Sequence, residues 1–171
     1  MEMWDLYTVD RVKTGETIRR DEPIPEGMYH LQVHVVIFNR NNEMLIQQRT
    51  PGKRYYPNLW DVTVGGGAVA GDTSSVAAER EVQEELGLTV QLKGKRPDFT
   101  MIYRDTFDDY YVVEMDVPLS AVTMQEEEVQ AVAWADQDTI LRMVADGSFC
   151  PNLTGLITLL FELHEKGLPR E

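Results

Sequence analysis

A chain of 171 residues, 43% of them hydrophobic, can bury one core without staples and is short for two domains, so a single domain over 1–171 is expected. A single cysteine, Cys150, excludes an internal disulfide framework, and a net charge of −13 excludes extended nucleic-acid binding, which needs a basic face to displace counterions. One cysteine suits a reducing, cytoplasmic setting; residues 1–5 lack the basic and apolar runs of a secretory signal, and no apolar stretch reaches the ~18–20 residues of a bilayer span, so no membrane partner is expected.

Residues 1–27 predict an N-terminal hairpin and loop. The hairpin is expected to turn at Thr14-Gly15, and the loop over 21–27 carries Pro23, Pro25 and Gly27. Residues 30–38 (HLQVHVVIF) alternate as a strand, Asn39 to Asn42 read as a turn, and 44–48 return as a second strand. A loop over 49–60 holds Pro51, Gly52 and Pro57, and a short strand over 61–64 runs into Gly65-Gly66-Gly67.

The spacing predicts a helix over 73–86. Asp72 or Thr73 can cap its start, Gly87 stands where a left-handed residue ends a helix, and Ala78, Val82 and Leu86 form its buried stripe. Strands are expected at 89–92, 99–103, 110–116 and 129–135, with helices over 137–145 and 153–166. Strands and helices interleave without a βαβ rhythm, which predicts an α+β fold, a mixed sheet with helices packed on it.

The chemistry lies in Arg80-Glu81-Val82-Gln83-Glu84-Glu85-Leu86-Gly87-Leu88. At ~100° per residue, Glu81, Glu84 and Glu85 fall within an arc of roughly 100° at the edge of the buried stripe. Three like charges in that arc are unfavourable, and a divalent cation removes the conflict. Hard oxygen ligands on a rigid scaffold suit Mg²⁺, with Mn²⁺ the alternative. The glycine run before the helix lets backbone come close to a metal or phosphate. A solvated acidic face is the competing reading of the glutamates alone.

The segment resembles the Nudix box, G-x5-E-x7-R-E-U-x-E-E-x-G-U. Gly66, Asp72, Arg80, Glu81, Val82, Glu84, Glu85, Gly87 and Leu88 occupy its nine specified positions, and Asp72 in place of glutamate is the one departure. The resemblance implies an α/β/α sandwich with a mixed sheet. It implies that Glu81, Glu84 and Glu85 act as catalytic and metal-binding carboxylates, helped by the Gly65 carbonyl. It further implies that Asp72 pairs with Arg80 to brace the loop, with a looser grip because aspartate is one methylene shorter; Gly66 and Gly87 complete the structural set. The implied activity is Mg²⁺-dependent hydrolysis of a diphosphate linkage in a nucleoside diphosphate derivative or a similar small phosphorylated metabolite.

A narrower resemblance links HxxVHVxIFN…LIQQRTPGKRYYPNLWDVTVGG to the branch containing isopentenyl-diphosphate isomerases and hydrolase-like relatives. The isomerases place a catalytic cysteine immediately before the glycine matching Gly66 and a histidine after it. Gly65 and Gly67 stand there instead, which disfavours isomerase chemistry. A Nudix-fold binding or regulatory protein without turnover is the remaining class, and the intact set of glutamates argues against it.

Outside the box, Arg49 and Lys53 are candidates to bind substrate phosphate, while Arg54 reads as solvated. Tyr55 and Tyr56 could stack on a base, and Trp60 reads as core. His30 and His34 share a strand face without a third ligand and read as packing residues. The run Glu126-Glu127-Glu128 reads as a solvated turn, with an extra ligand or base as its second reading. The apolar helix over 153–163 reads as core, with a homodimer contact as its second reading.

Overall fold

A computed structural model describes residues 2–151 and 154–167. The chain forms two compact units. The first comprises Met1–His34, Gly65–Glu81 and Gln91–Tyr111, and the second Val35–Val64, Val82–Val90 and Val112–Glu171.

In the first unit, β1 (Met3–Tyr7) and β2 (Lys13–Arg19) pair antiparallel, with Trp4 opposite Ile18. The turn between them lies at Thr8–Val12 and not at Thr14-Gly15. Thr8 N donates to Val12 O, Arg11 N donates to Thr8 O, and Arg11 adopts a left-handed φ of 60°. The reason is long-range: the Arg11 guanidinium pairs with Asp109, a fully buried carboxylate on β8 (Thr106–Glu114), and so holds the turn there. Asp109 also accepts from Ser74 Oγ and Thr100 Oγ1, so the charge is fully compensated. Gly15 instead lies inside β2, with φ 87°.

β3 (His30–Phe38) matches its expected bounds. Ala68 N donates to Leu31 O, which ties the end of β6 (Val64–Gly67) to β3, and β7 (Phe99–Tyr103) pairs antiparallel with β8, Phe99 opposite Tyr110. β8 starts at Thr106, four residues before its expected start at 110, because Thr106 to Asp109 are buried polar and apolar residues with partners in the sheet.

In the second unit, β4 (Met44–Arg49) lies between β5 (Trp60–Asp61) and β9 (Val129–Ala135), antiparallel to both. The expected strand over 61–64 is split. Between β5 and β6 the Thr63 hydroxyl donates to Leu45 O at 2.5 Å and accepts from Ile37 N at 2.9 Å, so it takes over hydrogen bonds that a continuous strand would make through its backbone. α2 (Gln137–Asp146) starts at Asp136, whose carboxylate accepts from Thr139 N, and ends at Gly147 with φ 82°. α3 (Thr154–Lys166) sets Phe161 edge-on against Phe38 at 4.9 Å. Leu153, placed in this helix by its sequence, lies outside the described residues.

Among the described residues, the larger sheet has seven strands in the order β5-β4-β3-β8-β7, with β6 paired to β3 and β9 to β4. The fold is α+β, a mixed sheet flanked by helices. α1 (Ser74–Leu86) carries the fully buried residues Ala77, Ala78, Val82 and Leu86. Thr73 starts it, its carbonyl accepting from Ala77 N, because the Asp72 carboxylate is committed elsewhere. Gly87 ends it with φ 65°, and a Cβ there would also press on Thr123 at 2.8 Å.

No strand forms over 89–92. Leu88, Val90 and Leu92 are buried, which produces the alternation of a strand, but the amides of Leu92 and Lys93 donate to the Glu79 carboxylate at 2.5 and 2.7 Å instead of to a neighbouring strand. No helix among the described residues is long and apolar enough to cross a membrane.

Candidate active site

Each residue of the glycine turn stands against a specific side chain. A Cβ on Gly66 would fall inside the Glu81 carboxylate, so only glycine lets the turn and that side chain share the space. A Cβ on Gly67 would come within 2.8 Å of Trp4 Nε1, and one on Gly65 within 2.9 Å of His34 Nδ1.

Arg80 ties the turn to the helix. Its Nε donates to Asp72 Oδ2 at 3.2 Å, one terminal nitrogen to Glu81 Oε1 at 2.8 Å, and the other to the Gly67 carbonyl at 3.1 Å. The expected Asp72–Arg80 brace is therefore made, and aspartate reaches far enough. Glu81 is only 8% exposed; a buried carboxylate is tolerated when it is paired and hydrogen-bonded, and Arg80 supplies both.

The rest of the acidic face belongs to the second unit. Glu85 is 5% exposed, and its Oε2 accepts from Gln47 Nε2 at 2.9 Å. Gln125 N donates to the Glu85 carbonyl, fixing the chain after the helix. Glu84 is exposed. Among the described residues no three Asp, Glu, His or Cys side chains converge as a ready-made cation cage. The donors nevertheless suit a hard divalent cation. All are oxygens, and the Glu81 carboxylate already lies in the notch left by a missing Cβ at Gly66. Glu81 and Glu85 stand one turn apart on α1, each held by a neutral or cationic donor that a metal could replace.

The loop after β4 has a different character. Arg49 donates to the Tyr55 carbonyl at 3.1 Å and to Asp61 Oδ2 at 3.3 Å. Lys53 forms an ion pair with Glu128, and Thr50 is bonded to the backbone of Glu127 and Glu128. Both cations chosen as phosphate ligands are thus engaged with carboxylates. Glu128, in a run read as solvated, is the partner of Lys53. Tyr56 and Asn58 adopt φ of 51° and 64°, an uncommon conformation for residues other than glycine. Tyr55 is 63% exposed, with Arg54 over its ring, and Trp60 is half-buried on β5.

His30 and His34 pack, as their spacing suggests. His30 stacks on Trp4 with ring centroids 4.1 Å apart, and His34 stacks on Tyr110 at 4.5 Å. Burial pushes the His30 imidazole below its ordinary pKa, against the opposing pull of Asp105 and Asp108. Cys150 is buried, and burial together with the nearby Asp61 pushes its thiol up, so it stays protonated. Sequence reasoning missed Gln47 and Trp4. No local signal marks either, since their partners lie 38 and 63 positions away.

The family model described as the NUDIX domain matches residues 28–149, which contain the turn, Arg80 and all three glutamates. The chain belongs to the Nudix family. An uncharacterized Nudix hydrolase of Listeria monocytogenes is 42% identical over 151 residues, covering 88% of this chain and 89% of that protein. An isopentenyl-diphosphate Δ-isomerase of Pectobacterium atrosepticum is 30% identical, covering 69% of this chain and 70% of that one. The crystal structure of a Deinococcus radiodurans protein, DR0079, shares the fold with a TM-score of 0.77 at 23% identity, over 93% of this chain and 99% of that one. This Nudix chain is accordingly a hydrolase of a family that acts on small phosphorylated substrates and generally uses divalent cations.

Proposed function

We propose that this Nudix hydrolase cleaves a diphosphate linkage in a nucleoside diphosphate derivative or similar small metabolite, using Mg²⁺ held by Glu81, Glu84, Glu85 and the Gly65 carbonyl, with Mn²⁺ as a substitute. The observation that carries the reading is the notch at Gly66, where a buried carboxylate on α1 lies directly against the glycine turn. A bound cation lowers the pKa of coordinated water and neutralises charge on phosphoryl oxygens. The chain's own residues do the rest. One of the three carboxylates takes the proton from the attacking water as the new phosphorus–oxygen bond forms and the bridging bond breaks. Arg80 and Gln47 orient Glu81 and Glu85, and Asp72 braces the turn through Arg80. Arg49 and Lys53 contact the substrate's phosphoryl oxygens, exchanging part of their present pairing with Asp61 and Glu128. The protein works in the cytoplasm as one Nudix domain and pairs as a homodimer; Leu156, Ile157, Leu160 and Phe161 of α3 are buried within the chain, and Leu159 is the large apolar residue that helix leaves exposed for such a contact.

The test is phosphate or nucleotide release from a panel of diphosphate esters, with and without Mg²⁺. Wild type should act only with the cation, and Glu85→Gln should lower kcat at least ~10²-fold while the protein still folds. Near-normal turnover by that variant at saturating Mg²⁺ removes Glu85 from the site.

Similarity to an isopentenyl-diphosphate isomerase favours a second reading, allylic isomerisation. Gly65 stands where those enzymes carry their cysteine, so no dimethylallyl product is expected from isopentenyl diphosphate. Isomer formed above the rate of a Glu81→Gln control reverses the assignment.

A further inference from the structure

The hairpin of β1 and β2 lies outside the Nudix domain of residues 28–149, yet it grips the loop that follows the glycine turn. Met3 O accepts from Ala70 N at 2.7 Å. Asp5 Oδ2 accepts from Gly71 N at 2.9 Å and from Lys13 Nζ at 2.5 Å, and Lys13 Nζ also donates to the Asp72 carbonyl at 3.3 Å. Residues 70, 71 and 72 are thus each held by the hairpin. Gly71 has φ 96° and open space around a Cβ, so its bond to Asp5, and not crowding, keeps that backbone in place. Trp4, between Met3 and Asp5, stacks on His30 and stands against Gly67, which seats the strand beside the turn.

From this loop the contacts run on to the acidic face. Asp72 Oδ2 accepts from Arg80 Nε, and Arg80 reaches both the Glu81 carboxylate and the Gly67 carbonyl. A displaced loop therefore moves Asp72, and with it the arginine that holds Glu81. Burial pushes the Asp5 carboxyl up, but the Gly71 amide and Lys13 outweigh it and hold the group below the ordinary carboxylate range, so the acceptor stays charged. The Lys13 and Asp5 side chains keep 44% and 17% of their surface exposed, and an ion pair that open adds little to stability. Its effect lies in position, since a shift of about 1 Å caused far from the chemistry can cost on the order of 10²-fold in rate.

We propose that Asp5 and Lys13 are positioning residues: they clamp the loop after the glycine turn so that Asp72, through Arg80, holds Glu81 where it binds the cation. The proposal rests on the hydrolase reading for the role of Glu81, and on the hairpin contacts for the clamp.

The experiment uses the full chain and reads cation binding, turnover and melting in wild type, Lys13→Met, Lys13→Arg and Arg20→Gln. Arg20 pairs with Glu2 on the same hairpin, so Arg20→Gln loses the same charge as Lys13→Met without touching the clamp. Affinity for Mn²⁺ alone is measured from the spin signal of the free ion. Removing a positive charge by itself tightens cation binding, so weaker binding reads position. Lys13→Met should bind Mn²⁺ about fivefold more weakly and, at saturating Mg²⁺, lower kcat about tenfold on the diphosphate ester that wild type cleaves fastest, with KM changed less than about twofold. Its melting temperature should fall by no more than about 3 °C. Lys13→Arg keeps donors for Asp5 and the Asp72 carbonyl and should restore affinity and kcat to within about twofold of wild type. Arg20→Gln should match wild type. Should Lys13→Met melt early, Asp5→Asn carries the same comparison with Glu2→Gln as its charge control; the asparagine keeps an oxygen for the Gly71 amide and gives up only its charge. Unchanged Mn²⁺ affinity and kcat in Lys13→Met, or losses shared by Arg20→Gln, overturn the clamp and leave the hydrolase reading standing. Weaker Mn²⁺ binding in Lys13→Met, rescued by Lys13→Arg, in a protein that hydrolyses no diphosphate keeps the clamp and removes the hydrolase reading.

Discussion

The glycine turn and the loop after β4 both carry charged residues beside glycine and aromatic rings, yet they are built in opposite ways. At the turn, charge and packing converge on fixed backbone. Arg80 reaches Asp72, Glu81 and the Gly67 carbonyl together, and Trp4, Glu81 and His34 each press on one glycine. In the loop, the cations are paired off one by one, Arg49 with Asp61 and Lys53 with Glu128, while Tyr55 and Tyr56 stay exposed and Gly52 has nothing within 4 Å of a Cβ. The first arrangement leaves no slack and suits chemistry that needs position. The second gives each cation its own carboxylate partner. Charged residues close in sequence thus say little about function until it is known whether they share partners.

That contrast can be broken by mutation. The largest effect belongs to Glu85→Gln, with the ≥ ~10²-fold loss of kcat given above. Gly66→Ala comes next. Its methyl collides with the Glu81 carboxylate, so activity should fall at least about tenfold and stability by ~1–3 kcal/mol, as for other overpacked sites. Gly52→Ala, in open space, should stay within about ±0.5 kcal/mol and keep full activity. Equal tolerance at both glycines, read by thermal melting and initial rates, dissolves the distinction. Arg49→Ala and Lys53→Ala should raise KM roughly five- to tenfold with kcat nearly unchanged, the signature of lost uniform binding. A fall in kcat at constant KM moves those cations into the chemistry.

The smallest effect concerns pH. Burial holds the His30 pKa below the ordinary imidazole value of 6.5, so below that pH the unfolded chain takes up a proton that the folded protein refuses. The stabilising contribution is complete above about 6.5 and is lost as pH falls from there toward the folded pKa. His30→Phe should flatten this part of the curve of melting temperature against pH. An unchanged slope assigns the effect to other groups.

The box was readable because its residues sit at fixed intervals on one helix, where spacing alone sets the face. Glu81, Glu84, Glu85, Arg80 and Gly87 are therefore identifiable without coordinates, as is the strand His30–Phe38 from its alternation. Features set by distant partners were not readable. Asp109 draws the first hairpin turn to Arg11, although Gly15 is the stronger local turn signal. Glu79 satisfies the amides of Leu92 and Lys93, so a segment with strand-like alternation forms no strand. Gln47 behind Glu85, Trp4 behind Gly67 and Glu128 opposite Lys53 all depend on chain pairings that a linear pattern does not contain.

The central claim is that the carboxylates of α1 hold a divalent cation, and it can be tested without knowing the substrate. Mg²⁺ that binds the folded protein and not the unfolded chain stabilises it by RT ln(1 + [L]/Kd), about 1.4 kcal/mol at ten times Kd. For a domain of this size that is a rise of roughly 3–5 °C in melting temperature. The measurement is a melting titration with MgCl₂ against NaCl at matched ionic strength, on wild type and on Glu81→Gln/Glu85→Gln. The account predicts a saturable rise with Mg²⁺ alone, largely abolished in the double variant. Equal stabilisation by both salts, or an undiminished Mg²⁺ effect in the double variant, contradicts it and leaves Glu81 and Glu85 as buried carboxylates held by Arg80 and Gln47.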